Sequence, residues 1–439
     1  MINNLLRRLF AICMLTLSVS NNYGQEALNL TLKGCIQYAE EHNLTLKSGE
    51  LDVSTAEIQL KQTRLQMAPS VNANASQNFG YSHGSGNLSI GGSYGISAGI
   101  DIFNGLSTYN SIRQSQLRLT QAQLQVEQAK NQIRISIIRS YLTILMNQEM
   151  ADYQREVLNT SRQQVNEGEQ KFKVGQILES DYLLLQAQYL SDSVNIENTK
   201  IAIANEYVML RNLLKVENGQ SLTIVVPDSA RLSQSMSVPS LEETMDKAMN
   251  YLPELKMKNN SVEMAEYDVK IAKSAFYPSL SANAGISTGY NAAYGKTGDG
   301  LVSGLYDNLG ENIGLNLSIP IYNQSKARNN VKMKNIAVQQ AQFQKEDAEN
   351  QVRQEIEAYH LNVKKAYNNY TLSEMQEAAY YANFKAYTQR FQYGAITAVD
   401  LLQQQTNYLN ILNNFMQNKY NFLMEKKVLD VYMGQEIDL

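Results

Sequence analysis

The chain has 439 residues, with 42 acidic against 38 basic and no basic run longer than two residues. That excludes a nucleic-acid partner, which needs clustered cations to neutralise phosphates. Its histidines, His42, His83 and His360, are isolated, and HExxH and phosphate-loop motifs are absent, so neither an enzyme nor a metal or cofactor site is expected.

Arg7 and Arg8, the apolar run Leu9 to Val19 and the small or polar residues up to Gly24 form a secretory signal peptide over 1–24. Cys13 follows Ile12, not a small residue, which does not suit a lipid-anchor cysteine. Without 1–24 the balance is 36 basic to 42 acidic, and Cys35 is the sole cysteine, so no intrachain disulfide can form. Leu32, Cys35, Ile36 and Ala39 share one helix face, which makes Cys35 a small buried residue. No later apolar run reaches the ~18 residues of a spanning helix. An exported chain of this kind can still enter a membrane as a closed β-barrel.

Helix is expected over 32–67, leading into strands at 71–81 and 93–103. Val71, Ala73 and Ala75 alternate with Asn72, Asn74 and Ser76, as Ile96, Ala98 and Ile100 do with Ser97 and Gly99. Such alternation over about ten residues is the pattern of a transmembrane β-strand. A soluble sandwich shows the same alternation, but four strands are too few for its core. The glycine-rich connection 82–92, which contains His83, reads as an exposed loop.

A long helix follows over 107–172, free of proline, reaching roughly 100 Å. Leu117, Leu124, Ile133, Ile137, Ile138, Tyr141, Leu142 and Leu145 form its packing stripe, as in a coiled coil. It ends at Gly175, and a return helix spans 180–215. After an inter-repeat segment at 221–240 the plan recurs: helix over 241–276, strands 279–290 and 312–322 around a loop at 291–309, long helix 323–391, Gly394 and return helix 399–432.

The recurrence is a duplication. Residues 56–70 align with 265–279, at an offset of 209; from Ile100 the offset becomes 219 and then holds without a gap. Residues 25–220 and 241–439 are the two copies. Four strands cannot close a barrel, since the smallest have about eight. Two chains would supply eight strands and three would supply twelve. The Ser, Asn and Gly face suits a wet lumen and favours three.

Two tip motifs complete the pattern: Lys171-Phe172-x-x-Gly175-x-Ile177-x-x-x-Asp181-x-Leu183 and Arg390-Phe391-x-x-Gly394-x-Ile396-x-x-x-Asp400-x-Leu402. With the duplicated order of elements they resemble the TolC-type outer-membrane factors, over essentially the whole chain beyond the signal. The resemblance implies an α+β membrane protein. Three chains would build a 12-stranded β-barrel in the outer membrane and a periplasmic α-barrel of coiled-coil hairpins. An equatorial belt would draw on 216–240 and the residues after Gly434. The homotrimer would touch outer-membrane lipid and dock a periplasmic adaptor and an inner-membrane pump of RND, ABC or MFS type. Drugs, metals, peptides and proteins all remain open as cargo.

The resemblance also implies roles at the tips. Gly175, Gly394, Lys171 and Arg390 would form adaptor-docking turns. Asp400 would be a gate aspartate, and Asp181, beside Ser180, a latch acceptor. Phe391, Ile396 and Gln403 replace the family's latching tyrosine, arginine and second gate aspartate. A gate held by packing, with a single Asp400 ring, is the expectation. The competing class is a periplasmic coiled-coil adaptor or structural protein, which explains the helices but not the strands.

Overall fold

A computed structural model describes residues 28–83, 87–217, 220–227, 238–293 and 300–438. The signal peptide at 1–24, with Cys13, lies outside the described residues, as does much of the inter-repeat segment. In chain order the elements are β1 (Leu28–Leu30), α1 (Leu32–His42), α2 (Leu44–Leu65), β2 (Ser70–Ser82), β3 (Asn87–Asn104), α3 (Ser107–Lys173) and α4 (Glu179–Leu214). Next come β4 (Leu222–Ile224), α5 (Leu241–Tyr251), α6 (Pro253–Lys273), a 3-10 turn at Ser274–Phe276, and β5 (Ser279–Ala293). Last are α7 (Gly300–Asp307), β6 (Gly310–Ser318), α8 (Lys326–Gln392) and α9 (Ala398–Tyr432). Both long helices, α3 and α8, have 67 residues, and the offset of 219 maps one onto the other end to end. No described helix is long and apolar enough to cross a membrane.

Two compact units divide the chain. One comprises Thr45–Lys130 and Met245–Ile356. It holds an antiparallel sheet in the order β2-β3-β5-β6. The register runs Val71↔Ala98↔Ala284↔Ile313 on the apolar face. It runs Asn72↔Ser97↔Gly285↔Asn312 on the polar one. The alternation read from sequence therefore sorts the two faces. Among the described residues no second sheet covers the apolar side: Ile313 is 90% exposed and Leu315 72%. On the polar side Ser76 and Ser93 share a 2.7 Å hydrogen bond. On the apolar side a Cβ at Gly92 would lie 2.7 Å from the ring of Tyr290, its ladder partner, so that position needs a residue without a side chain.

Several boundaries differ from expectation. β3 begins at Asn87, so the first loop is shorter than 82–92. The second loop, read as irregular, contains α7, fastened by the Thr288 hydroxyl to the Leu305 carbonyl and by Asn308 Nδ2 to the Gly289 carbonyl at 2.8 Å. β6 stops at Ser318 and does not reach Tyr322, because Pro320 has no N–H for a ladder. α8 starts at Lys326, not 323, since Gln324 (φ 55°) and Ser325 (φ 63°) occupy the left-handed region. Gly105 and Leu106, both at φ 67°, form the matching turn in the first copy. The helices expected over 32–67 and 241–276 are each broken, at extended Asn43 and before Pro253. Within this unit amides join helices: Gln114 Nε2 donates to Asp268 at 2.8 Å, and Asn260 Nδ2 to the Leu117 carbonyl at 2.7 Å.

The other unit comprises residues up to Leu44, Asn131–Thr244 and Glu357–Leu439. Its core takes in the predicted residues Ile137, Ile138, Tyr141, Leu142 and Leu145, with Leu32, Cys35, Ile36 and Ala39. Burial pushes the Cys35 thiol up to about 12. A parallel pair, β1 with β4, was not foreseen from sequence. Three-residue strands carry too short a pattern to read. Helix α8 meets α9 through rings, including Phe384 stacked on Tyr408 at 5.4 Å and Tyr370 on Phe422 at 6.1 Å.

Candidate gate at the hairpin tips

Each long helix ends in a left-handed glycine, Gly175 (φ 68°) and Gly394 (φ 71°). Both turns close with the same double bond pattern. Gly175 N–H donates to the Phe172 carbonyl at 2.9 Å, and Gln176 N–H to that of Lys171 at 2.8 Å. Gly394 donates to Phe391 at 3.0 Å, and Ala395 to Arg390 at 2.9 Å. This is the Schellman arrangement, which satisfies carbonyls that a helix end leaves orphaned.

The return helices start differently. Thr397 and Asp400 form a capping box at α9. The Thr397 hydroxyl accepts from Asp400 N–H at 3.2 Å, and the Asp400 carboxylate accepts from Thr397 N–H at 3.1 Å and from its hydroxyl at 2.6 Å. Those bonds hold the Asp400 carboxyl below its ordinary value. At α4 the cap is Leu178, which has no side-chain bond to offer. Glu179 and half-buried Asp181 stand in that first turn, where the helix dipole favours acids. Thr397 was overlooked in the sequence, although Thr-x-x-Asp just after a helix-ending glycine is a readable capping signal.

Phe391 is 1% exposed, and Ile396 packs against the same core together with buried Ala398 and Leu401. Gln403 is exposed and donates to Asn407 at 3.2 Å, along its own helix. Ser180 is exposed. The exposed Arg390 lies over the Tyr387 ring at 5.5 Å, on its own helix. Lys171 instead crosses between the hairpins: its Nζ donates to the Phe391 and Gln392 carbonyls, the second at 3.2 Å, and stands 4.4 Å from the Phe391 ring centroid. Around these residues an open hollow of about 720 Å³ takes in Asp181, Tyr393 and Asp400. Val174, Leu178 and Tyr393 leave apolar surface at the turns.

Farther along the hairpins lies a buried polar cluster that sequence reading missed. Asp192 of α4 accepts from Ser161 of α3, from Gln188 at 2.8 Å, and from Gln405 of α9 at 2.9 Å. Burial raises the Asp192 carboxyl above its ordinary value, and the three donors only partly offset this. The available signal was phase: Leu185, Asp192 and Ile196 fall on one helix face, which puts an acid among core residues.

A family model described as "Outer membrane efflux protein" matches residues 35–214 and 245–435, one stretch per copy. The outer membrane protein TolC of Vibrio cholerae serotype O1 is 23% identical over 268 residues, covering 57% of this chain and 59% of that protein. The chain thus spans less than two thirds of the length of that curated relative in the match. The Neisseria gonorrhoeae MtrE outer membrane channel in its open state is similar in fold, with TM-score 0.76 at 16% identity over 92% of this chain and 89% of that one. The Campylobacter jejuni CmeC outer membrane channel is similar too, with TM-score 0.74 at 18% identity over 93% and 86%.

The chain belongs to the outer membrane efflux protein family and has its TolC-like α+β fold of long helical hairpins and four strands. That family comprises non-enzymatic channels of the outer membrane with a helical extension into the periplasm. Channels of the family form trimers within tripartite efflux systems.

Proposed function

We propose that this chain is one subunit of a homotrimeric exit duct that passively conducts cargo out of a Gram-negative cell. The observation that carries this is the sheet. β2 and β6 are its outer strands, and the described chain offers them no further partner. An open edge cannot stand in hydrocarbon, so other copies must pair with it. Three sheets make a twelve-stranded barrel with Val71, Ile96, Ile286 and Ile313 toward lipid and the Ser, Asn and Gly face toward water. The alternative of a periplasmic adaptor gives such a sheet no purpose.

On this reading the tips form the periplasmic gate. Three copies would bring Asp400 into one acidic ring, and Asp181, without a side-chain partner among the described residues, would accept from a neighbouring chain. The exposed apolar turns at Gly175 and Gly394 would dock an adaptor, and through it an inner-membrane pump of RND, ABC or MFS type. The wall offers chiefly amide and hydroxyl groups, which suits a duct whose cargo the pump selects.

The test is extraction and mass. The protein is expected in the outer membrane, soluble only with detergent, with a detergent-corrected mass of three chains. A detergent-free monomer would overturn the proposal. In planar bilayers Asp400→Ala is expected to lose cation preference and divalent-ion block; unchanged selectivity would sink the ring.

A further inference from the structure

We propose that Lys171 is the clasp that holds the two tip turns of one chain together at rest. This rests on reading the tips as the gate, and it names the group that must let go before they part. The last carbonyls of α8 point out of the helix end, where a cation is favoured by the dipole. The Schellman turn of that helix supplies Phe391 with one donor, Gly394 N–H at 3.0 Å. Lys171 adds a second there, and donates to the Gln392 carbonyl at 3.2 Å. Its ammonium also lies 4.4 Å from the centroid of the Phe391 ring, within cation–π range. That ring is 1% exposed, so the cation closes over a group already anchored in the core.

The duplication supplies an internal control. Arg390 occupies the same place in the second copy, yet it lies over Tyr387 of its own helix and is exposed. The cationic position is shared, while the crossing is made from the first copy alone. A longer contact, Gln392 Nε2 to Glu167 at 3.5 Å, joins the same pair of helix ends and is the weaker tie. The clasp uses backbone carbonyls as acceptors, so substitution of an acidic residue would not release it.

Single-channel conductance of the full-length trimer tests this. Lys171→Met keeps the length of the side chain and removes its charge and donors; Lys171→Arg keeps both. Trimer assembly of each variant is first confirmed on heat-modifiable gels. Lys171→Met is expected to raise conductance several-fold and Lys171→Arg to stay near the parent. Phe391→Ser, which empties the core under the turn, separates the two layers of the argument. If Phe391→Ser opens the pore and Lys171→Met does not, the clasp is overturned while the gate stands. If neither changes conductance, the gate reading fails and the clasp with it. Lys171→Arg opening as far as Lys171→Met would overturn a clasp based on charge.

Discussion

The two hairpins arise from one duplicated unit, keep their long helices equal to the residue, and still finish their tips by different means. The turns themselves are alike, glycine for glycine and bond for bond. The return helices are not. The second begins with a side-chain capping box at Thr397 and Asp400, whereas the first begins at Leu178 and relies on acids in the first turn. Inside the hairpins Gly168 lets Leu185 approach so closely that a Cβ would sit 2.5 Å from its Cδ1, and the matching position in the second copy is Tyr387. Duplication preserved the backbone economy of the turn, and side chains at the entry and the crossing distinguish the copies.

The comparison can be broken most severely at Asp192, which joins the first hairpin to α9. Asp192→Leu strands the amide and hydroxyl donors of Ser161, Gln188 and Gln405, and is expected to cost about 2–4 kcal/mol. Loss of hydrogen-exchange protection in α4 and α9 measures it. Asp192→Asn should cost less, because Gln188 can turn its amide to present an acceptor. The next effect is at the turns, where Gly394→Ala and Gly175→Ala place a Cβ at positive φ. Each should weaken its tip by about 1–2 kcal/mol, seen as faster exchange in the neighbouring turn. The two losses should match, since neither Cβ would meet another atom within 4 Å.

Smaller effects probe the entries. Thr397→Ala removes a cap and should destabilise the first turn of α9 by about 1 kcal/mol. Leu178→Ser supplies the missing cap to α4, and as Leu178 is 71% exposed it should gain about 0.5 kcal/mol. The same exchange measurement, with the sign reversed, checks it. The gentlest contrast is acid. The Asp400 carboxyl is held below its ordinary value of 3.8, so its contribution is present above that pH and is lost as pH falls through the folded value. The Asp192 carboxyl is raised above the same reference, so the folded chain binds its proton more readily and that contribution is lost as pH rises through the raised value. Lowering pH through the raised Asp192 value should therefore firm that region slightly, and above the ordinary carboxylate value it should leave the α9 entry unchanged. Below pH 4 the entry should loosen.

Much of this architecture was written in periodicity. Alternation assigned the faces of all four membrane strands, because each position repeats a simple in-or-out choice over ten residues. The long helices were legible from the absence of proline and from an apolar stripe that the core then used. Helix starts were less so: nothing in Asn323-Gln324-Ser325 announces positive φ, since the first copy uses Gly105 at the equivalent place and the second does not. The pair β1 and β4 joins residues almost two hundred positions apart, and sequence pattern carries no sign of such a partner. At the tips the glycines and aspartates were found, but the bond from Lys171 was not. A cation aimed at main-chain carbonyls has no complementary side chain to betray it.

The equal length of α3 and α8 has a practical corollary for protein engineering and for natural drift alike. One residue inserted in either helix turns everything beyond it by roughly 100° and shifts it by about 1.5 Å. Every later core position would swing toward solvent, and the tip would leave the register that its twin maintains. The second copy carries its ten additional residues between β5 and β6, in the connection that holds α7, and not in a long hairpin helix. Length in this molecule is thus a conserved currency of the hairpins, and variation is exported to the strand loops, where tags and epitopes should be tolerated.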